Sequence, residues 1–114
     1  MVKAAVKTQV GTAEAAVAAK FFRGLGDPTR LRIVQLLLEG EKNVGELVSL
    51  IGAPQGRVST HLACLRWCGF VSAHRQGRNV IYRLSDPRVR DLVILAQSII
   101  IDNAKDIASC RIIK

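Results

Sequence analysis

Gln55 to Gly69 reads QGRVSTHLACLRWCG, and the spacing within it decides the fold. Val58, Leu62 and Leu65 recur at i, i+4 and i+7, which is one face of a helix of about four turns with a single stripe in the core. Pro54 stands before it and Gly69 just past it, residue types that suit the two ends of a helix. At about 100° per residue, Arg57, His61, Cys64 and Cys68 fall within about 60° of one another, on a face expected to be exposed, roughly a quarter-turn from the core stripe. That face carries basic and hydrogen-bonding groups in its N-terminal half, suited to DNA. Its C-terminal half carries two thiols, suited to a soft metal ion.

Upstream, Asn43 with Glu46 three residues on resembles a capping box and opens a short helix whose Leu47, Leu50 and Ile51 are expected to point inward. Gly52-Ala53-Pro54 is then a tight turn, and the two helices together make a helix-turn-helix. Before them, Asp27-Pro28 starts a helix by the N-cap and N1 rule, with Leu31, Val34, Leu37 and Leu38 as its core face. An alanine-rich run from Thr12, with Thr12 as N-cap, puts Val17, Phe21 and Leu25 on one stripe and stops at Gly24 to Gly26. Residues 1–12 carry two lysines without periodicity and are read as a flexible basic arm.

Downstream, the period changes. Phe70 and Val71, then Val80, Ile81, Tyr82 and Leu84, form two β-favouring runs about a Gln76-Gly77-Arg78 turn. His74, Arg75, Arg78 and Arg83 make this hairpin a basic wing, with Arg75, Arg78 and Arg83 expected on phosphates. Ser85-Asp86-Pro87 caps a last helix from about Arg88 to near Asp106. Its apolar set, from Val89 through Ile101, is wider than one core stripe needs. The second buried side is expected to be another subunit, giving a homodimer through the first and last helices and two reading helices for an imperfect palindrome in duplex DNA. The fold class is therefore mainly α with a small β-wing, a winged helix-turn-helix over 13–106 followed by a tail over 107–114.

The formal charge of +8 and an isoelectric point near 10.1 favour a polyanionic partner. No run approaches the ~20 apolar residues of a spanning helix, so nucleic acid is favoured over membrane. Three cysteines, Cys64, Cys68 and Cys110, form an odd set without a secretory signal, which points to a reducing cytoplasm rather than a disulfide framework. No phosphate-cradling glycine loop, carboxylate pair or Cys-His nucleophile is present, and an enzyme is not expected. The candidates for base or phosphate contact are Gln55, Arg57, Ser59, Thr60 and His61, Arg57 being placed best for a guanine edge. Arg66 and Trp67, late on the helix, are expected to pack or to neighbour phosphates.

The order of these elements, with LGDPTRLRIVQLLLEG, QGRVSTHLACLRWCGFV and GRNVIYRLSD, resembles the ArsR/SmtB family of winged-helix repressors from about Phe22 to Ala104. The resemblance implies a metal- or stress-responsive repressor that needs no cofactor to bind operator DNA and leaves it when an inducer binds. Members that sense through the helix before the turn carry Cys-x-Cys there, where this chain has Val44-Gly45-Glu46-Leu47-Val48. Members that bind zinc or nickel on the last helix use Asp and His at its start and His further along; Asp91 is present here, but this last helix contains no histidine. Cys64 and Cys68 instead match the recognition-helix cysteines of the cadmium/lead-sensing branch typified by the mycobacterial CmtR. A tail cysteine completes that branch's site across the dimer, and Cys110 stands in the matching place.

Three thiolates suit Pb(II), Hg(II) and, with one added ligand, Cd(II), whereas zinc usually takes four ligands. His61, one turn before Cys64, is an alternative ligand. The competing reading keeps the fold and makes the cysteines a redox or persulfide switch. A pair at i and i+4 of one helix is poorly placed for an unstrained disulfide, although a bridge from Cys110 to either would be open to it.

Overall fold

The computed structural model describes residues 11–113, and residues 1–10 of the expected basic arm lie outside them. Helix α1 spans Thr12–Leu25 and has Gly11, not Thr12, at its N-cap. The extended backbone that an N-cap needs falls one residue earlier than expected, and no side chain caps the end. Asp27 then caps α2 (Pro28–Leu38), its Oδ2 accepting from the backbone N–H of Thr29 at 2.9 Å and of Arg30 at 3.0 Å. Ile33, Val34, Leu36 and Leu37 are the buried residues of α2, while Leu31 and Leu38 are only half-buried. The expected stripe was rotated because α2 is covered from several sides, by α1 and by the helices and strand that follow.

A two-residue strand, β1 (Lys42–Asn43), leads directly into α3 (Val44–Ile51). The capping box is complete: Asn43 Oδ1 accepts from the Glu46 N–H, and Glu46 Oε1 accepts from the Asn43 N–H, each at 2.8 Å. Leu47 is buried, Ile51 half-buried, and Leu50, expected inside, is 51% exposed. Eight residues give only about two turns, and the core covers a narrower arc of α3 than its composition suggested.

Helix α4 (Gln55–Trp67) buries Val58, Leu62 and Leu65 as expected. Its end is a Schellman motif. Gly69 sits at φ +88°, the Gly69 N–H donates to Arg66 O at 3.1 Å, and the Phe70 N–H donates to Leu65 O at 2.9 Å. Leu65 and Phe70 are both fully buried, supplying the apolar contact that accompanies the motif.

Strands β2 (Val71–Gln76) and β3 (Asn79–Leu84) form the wing, joined by Gly77-Arg78 with Gly77 at φ +63°. Positive φ at the first central position alone is the pattern of a tight II′ hairpin turn. β1 pairs with the other edge of β3, Lys42 opposite Tyr82 and Asn43 opposite Ile81, so the antiparallel sheet runs β1-β3-β2. Helix α5 (Pro87–Ser109), capped by Asp86, runs three residues past the expected end. It breaks at Asn103, where φ −123° and ψ 16° leave the helical region and the side-chain amide donates to Ile99 O at 3.0 Å.

One apolar cluster holds the chain together, with Phe70, Ile33, Leu47, Leu62 and Leu65 at its centre. Only Val89 and Val93 of α5 are buried, and Leu95, Ile99, Ile100 and Ile101 are exposed. Among the described residues, the wide apolar girth read from the sequence is therefore uncovered within one chain. No described helix is long and apolar enough to cross a membrane.

Candidate nucleic-acid interface and thiol site

The N-terminal half of α4 is presented to solvent by the same packing that buries its stripe. Gln55, Arg57, Ser59 and Thr60 are exposed, with Thr60 Oγ1 donating to Gly56 O at 3.0 Å within the helix. Arg75 and Arg78 are exposed near the turn of the wing. Arg83 is less free than expected, its Nη1 lying 3.6 Å from Glu41 Oε2 and its Nε donating to Ser72 Oγ at 3.4 Å. Trp67 does not pack at all: it is 92% exposed. His74 is half-buried, and its Nδ1 has no hydrogen-bond partner.

His61, expected on the DNA face, turns toward the protein instead. Its side chain is 16% exposed, with Nδ1 3.4 Å from Arg30 Nη1 and Nε2 3.9 Å from Asp27 Oδ2. The same Arg30 donates from Nε to Gly24 O at 2.7 Å and from Nη2 to Arg23 O at 3.1 Å. The sequence shows Asp27-Pro28 as a helix start but does not mark Arg30, in the first turn of that helix, as a contact to α1 or α4. The Arg30 backbone N–H is the main reason that the Asp27 carboxyl is held below its ordinary value. Burial opposes this, and the charge of Arg30 reinforces it.

Cys64 and Cys68 are free, half-buried thiols one turn apart near the end of α4. Burial pushes the Cys68 thiol above its ordinary value, and the neighbouring Cys64 adds to the rise. Arg30 and Lys20 pull weakly the other way. The wall over Cys68 is Gly24 of α1: a Cβ there would stand 3.2 Å from Cys68 Sγ and 3.1 Å from Phe70 Cε2. Cys110 ends α5 in an exposed position, its thiol lowered by the backbone N–H groups of Ile113 and then Ile112. Among the described residues of one chain, no three His, Cys, Asp or Glu side chains gather where they could hold one ion. The expected ligands thus divide into a formed pair on α4 and a third thiol elsewhere.

Residues 27–73 match the bacterial regulatory protein, arsR family. A Streptomyces lividans protein described as a "probable mercury resistance operon repressor" is 50% identical over 92 residues, spanning 81% of this chain and 74% of that one. The chain belongs to the ArsR family. The solution structure of a homodimeric winged helix-turn-helix DNA-binding domain from Mycobacterium bovis aligns with a TM-score of 0.72 at 28% identity, covering 85% of this chain and 92% of that one. CmtR from Mycobacterium tuberculosis is 47% identical over 68 residues, 60% of this chain and 58% of that one, a shorter match than the mercury-associated relative gives. This ArsR-family chain is a winged helix-turn-helix transcriptional regulator and not an enzyme.

Proposed function

We propose that the chain is a cytoplasmic, metal-responsive repressor. It binds an imperfectly palindromic operator as a homodimer and releases it when a soft ion is held by Cys64, Cys68 and Cys110. The observation that carries this reading is the half-buried thiol pair on the very helix whose other half offers Gln55, Arg57, Ser59 and Thr60 to solvent. Thiolate donors select Hg(II), Cd(II) and Pb(II) over hard cations, and the likeness to a probable mercury resistance operon repressor supports testing Hg(II) first. The donor set fits: two sulfurs of one turn can share an ion, and a third ligand must come from outside that turn. Cys110 of the partner subunit is the natural source, because the exposed apolar length of α5 leading to it calls for a second subunit.

A bound soft ion supplies a positive centre that ties three sulfurs together. The work of release falls to the chain. Cys68 would give up a proton that its burial retains, and α4 would have to move against the close contact at Gly24. Arg57 would lose its alignment with a guanine edge, while Arg75 and Arg78 hold phosphates without regard to sequence. At Cys68 oxidation is disfavoured, since a thiol whose pKa is raised is a poorer nucleophile at neutral pH, and the oxidation reading falls instead on the exposed Cys110, whose thiol is lowered.

The test is titration of reduced protein with Hg(II), Cd(II), Pb(II) and Zn(II), following thiolate-to-metal absorption and operator release together. Stoichiometric Hg(II) binding that coincides with release, and that Cys64→Ala and Cys68→Ala abolish, is the expected outcome. Metal-induced release that survives both substitutions would sink the proposal.

A further inference from the structure

Three helices meet at one guanidinium. Arg30 of α2 gives Nε and Nη2 to the consecutive carbonyls of Gly24 and Arg23, at the carboxyl end of α1. Both carbonyls lie in the last turn of α1, beyond the reach of i+4 bonds; Arg23 O also accepts from the Gly26 N–H at 3.0 Å, and a cation is favoured at such an end. Because the guanidinium is planar with its donors in a fixed fork, seating two of them fixes where Nη1 lies. Nη1 lies 3.4 Å from His61 Nδ1, in the middle of α4. Arginine only donates, so Nδ1 is the acceptor, and the imidazole proton sits on Nε2, facing Asp27 Oδ2 at 3.9 Å. That same carboxylate oxygen caps α2.

Gly24 joins this node to the thiols. Its carbonyl is held by Arg30, while its α-carbon lies so close over Cys68 that a methyl group would reach within 3.2 Å of the sulfur. A close-packed contact of this kind has little slack to absorb a movement of Cys68. We propose that Arg30 is the positioning residue of the reading helix, fixing α4 through His61 against the end of α1 and carrying the state of the Cys64–Cys68 pair to the DNA face. His61 then acts by placing Arg57 and Thr60 and does not read bases itself. The positioning role stands on the geometry alone; its link to the thiols rests on the metal-responsive reading above.

The test uses the full chain with Arg30→Lys, which keeps the charge and loses the fork, His61→Gln, and the double variant. Operator and random-sequence DNA affinities are measured across a salt series, first without metal and then with saturating Hg(II). Arg30→Lys should lower metal-free operator affinity about tenfold, with random-sequence binding and the salt slope unchanged. The double variant should lose no more than the worse single one, as members of one latch do. With Hg(II), the ratio of metal-free to metal-bound affinity should shrink toward one while Hg(II) still binds. Unchanged operator affinity would overturn the proposal. So would a loss shared by random DNA with a salt slope flatter by about one, which would make Arg30 a phosphate contact. If Arg30→Lys does not fold, His61→Gln carries the same measurements, since His61 makes no bond to α1. A wild-type protein indifferent to every metal would defeat the metal-responsive reading, yet leave the metal-free comparison fully informative.

Discussion

Asp27 offers one carboxylate oxygen to two backbone N–H groups and faces His61 with it, which makes it the residue where acid meets the fold. Removing the cap with Asp27→Ala should lower unfolding stability by about 1 kcal/mol, read from urea midpoints at neutral pH. Its carboxyl is depressed in the folded protein. The stabilisation is therefore complete above the unfolded value of 3.8 and is lost as pH falls through the folded one. Parent and variant midpoints should converge in that acid window. Asp27→Asn should keep most of the cap while losing the acid dependence. Gly69 is the other residue with a decisive conformation: at φ +88°, Gly69→Ala should cost about 1–2 kcal/mol in the same assay. Both residues were legible as punctuation in the sequence. The direction of His61 was not, because helical angle places a side chain on a face but cannot reveal an arginine 31 positions earlier that draws it inward.

Among the elements, α4 was read correctly because its three apolar residues and its closing glycine agree. The wing followed from β-favouring runs and a glycine turn. Strand β1 was missed for a physical reason. Two residues show no alternation, and their strand exists only through pairing with β3, some forty residues on. Leu50 went astray because apolar composition does not fix how wide an arc of a short helix is covered. The division of labour between α4 and the wing is testable by salt dependence. Arg57→Ala should lower operator affinity by about 1–3 kcal/mol and relax specificity at one base pair. Arg78→Ala should weaken all duplexes alike and flatten the salt slope by about one. At the α1–α4 contact, Gly24→Ala gains about 1 kcal/mol in helix propensity and loses about 1–3 kcal/mol by crowding Phe70 and Cys68. A lowered melting temperature is expected.

At the scale of the whole molecule, the proposed thiolate site would make ion binding a proton exchange. Cys68 holds its proton more tightly than an ordinary thiol and Cys110 less tightly. Apparent Hg(II) affinity should rise with pH, and Cys68→Ala should reduce the protons released on binding more than Cys110→Ala does, as pH-stat titration would show. Assembly is the other property of this scale. The exposed isoleucines of α5 call for a partner, so Ile101→Glu should shift sedimentation toward the single chain and weaken operator binding while each wing and reading helix stays folded.

From Thr12 to Lys20 every residue of α1 is exposed, and among the described residues its own chain covers Phe21, Gly24 and Leu25 near its end. A helix of this length is marginal in water without tertiary support, even when rich in alanine. Its helicity is thus lent by whatever lies across it, which in a homodimer is the other subunit. Diluting the protein through its dissociation range should therefore lower the far-ultraviolet ellipticity before the core melts, turning a circular dichroism spectrum into a gauge of how many subunits are paired.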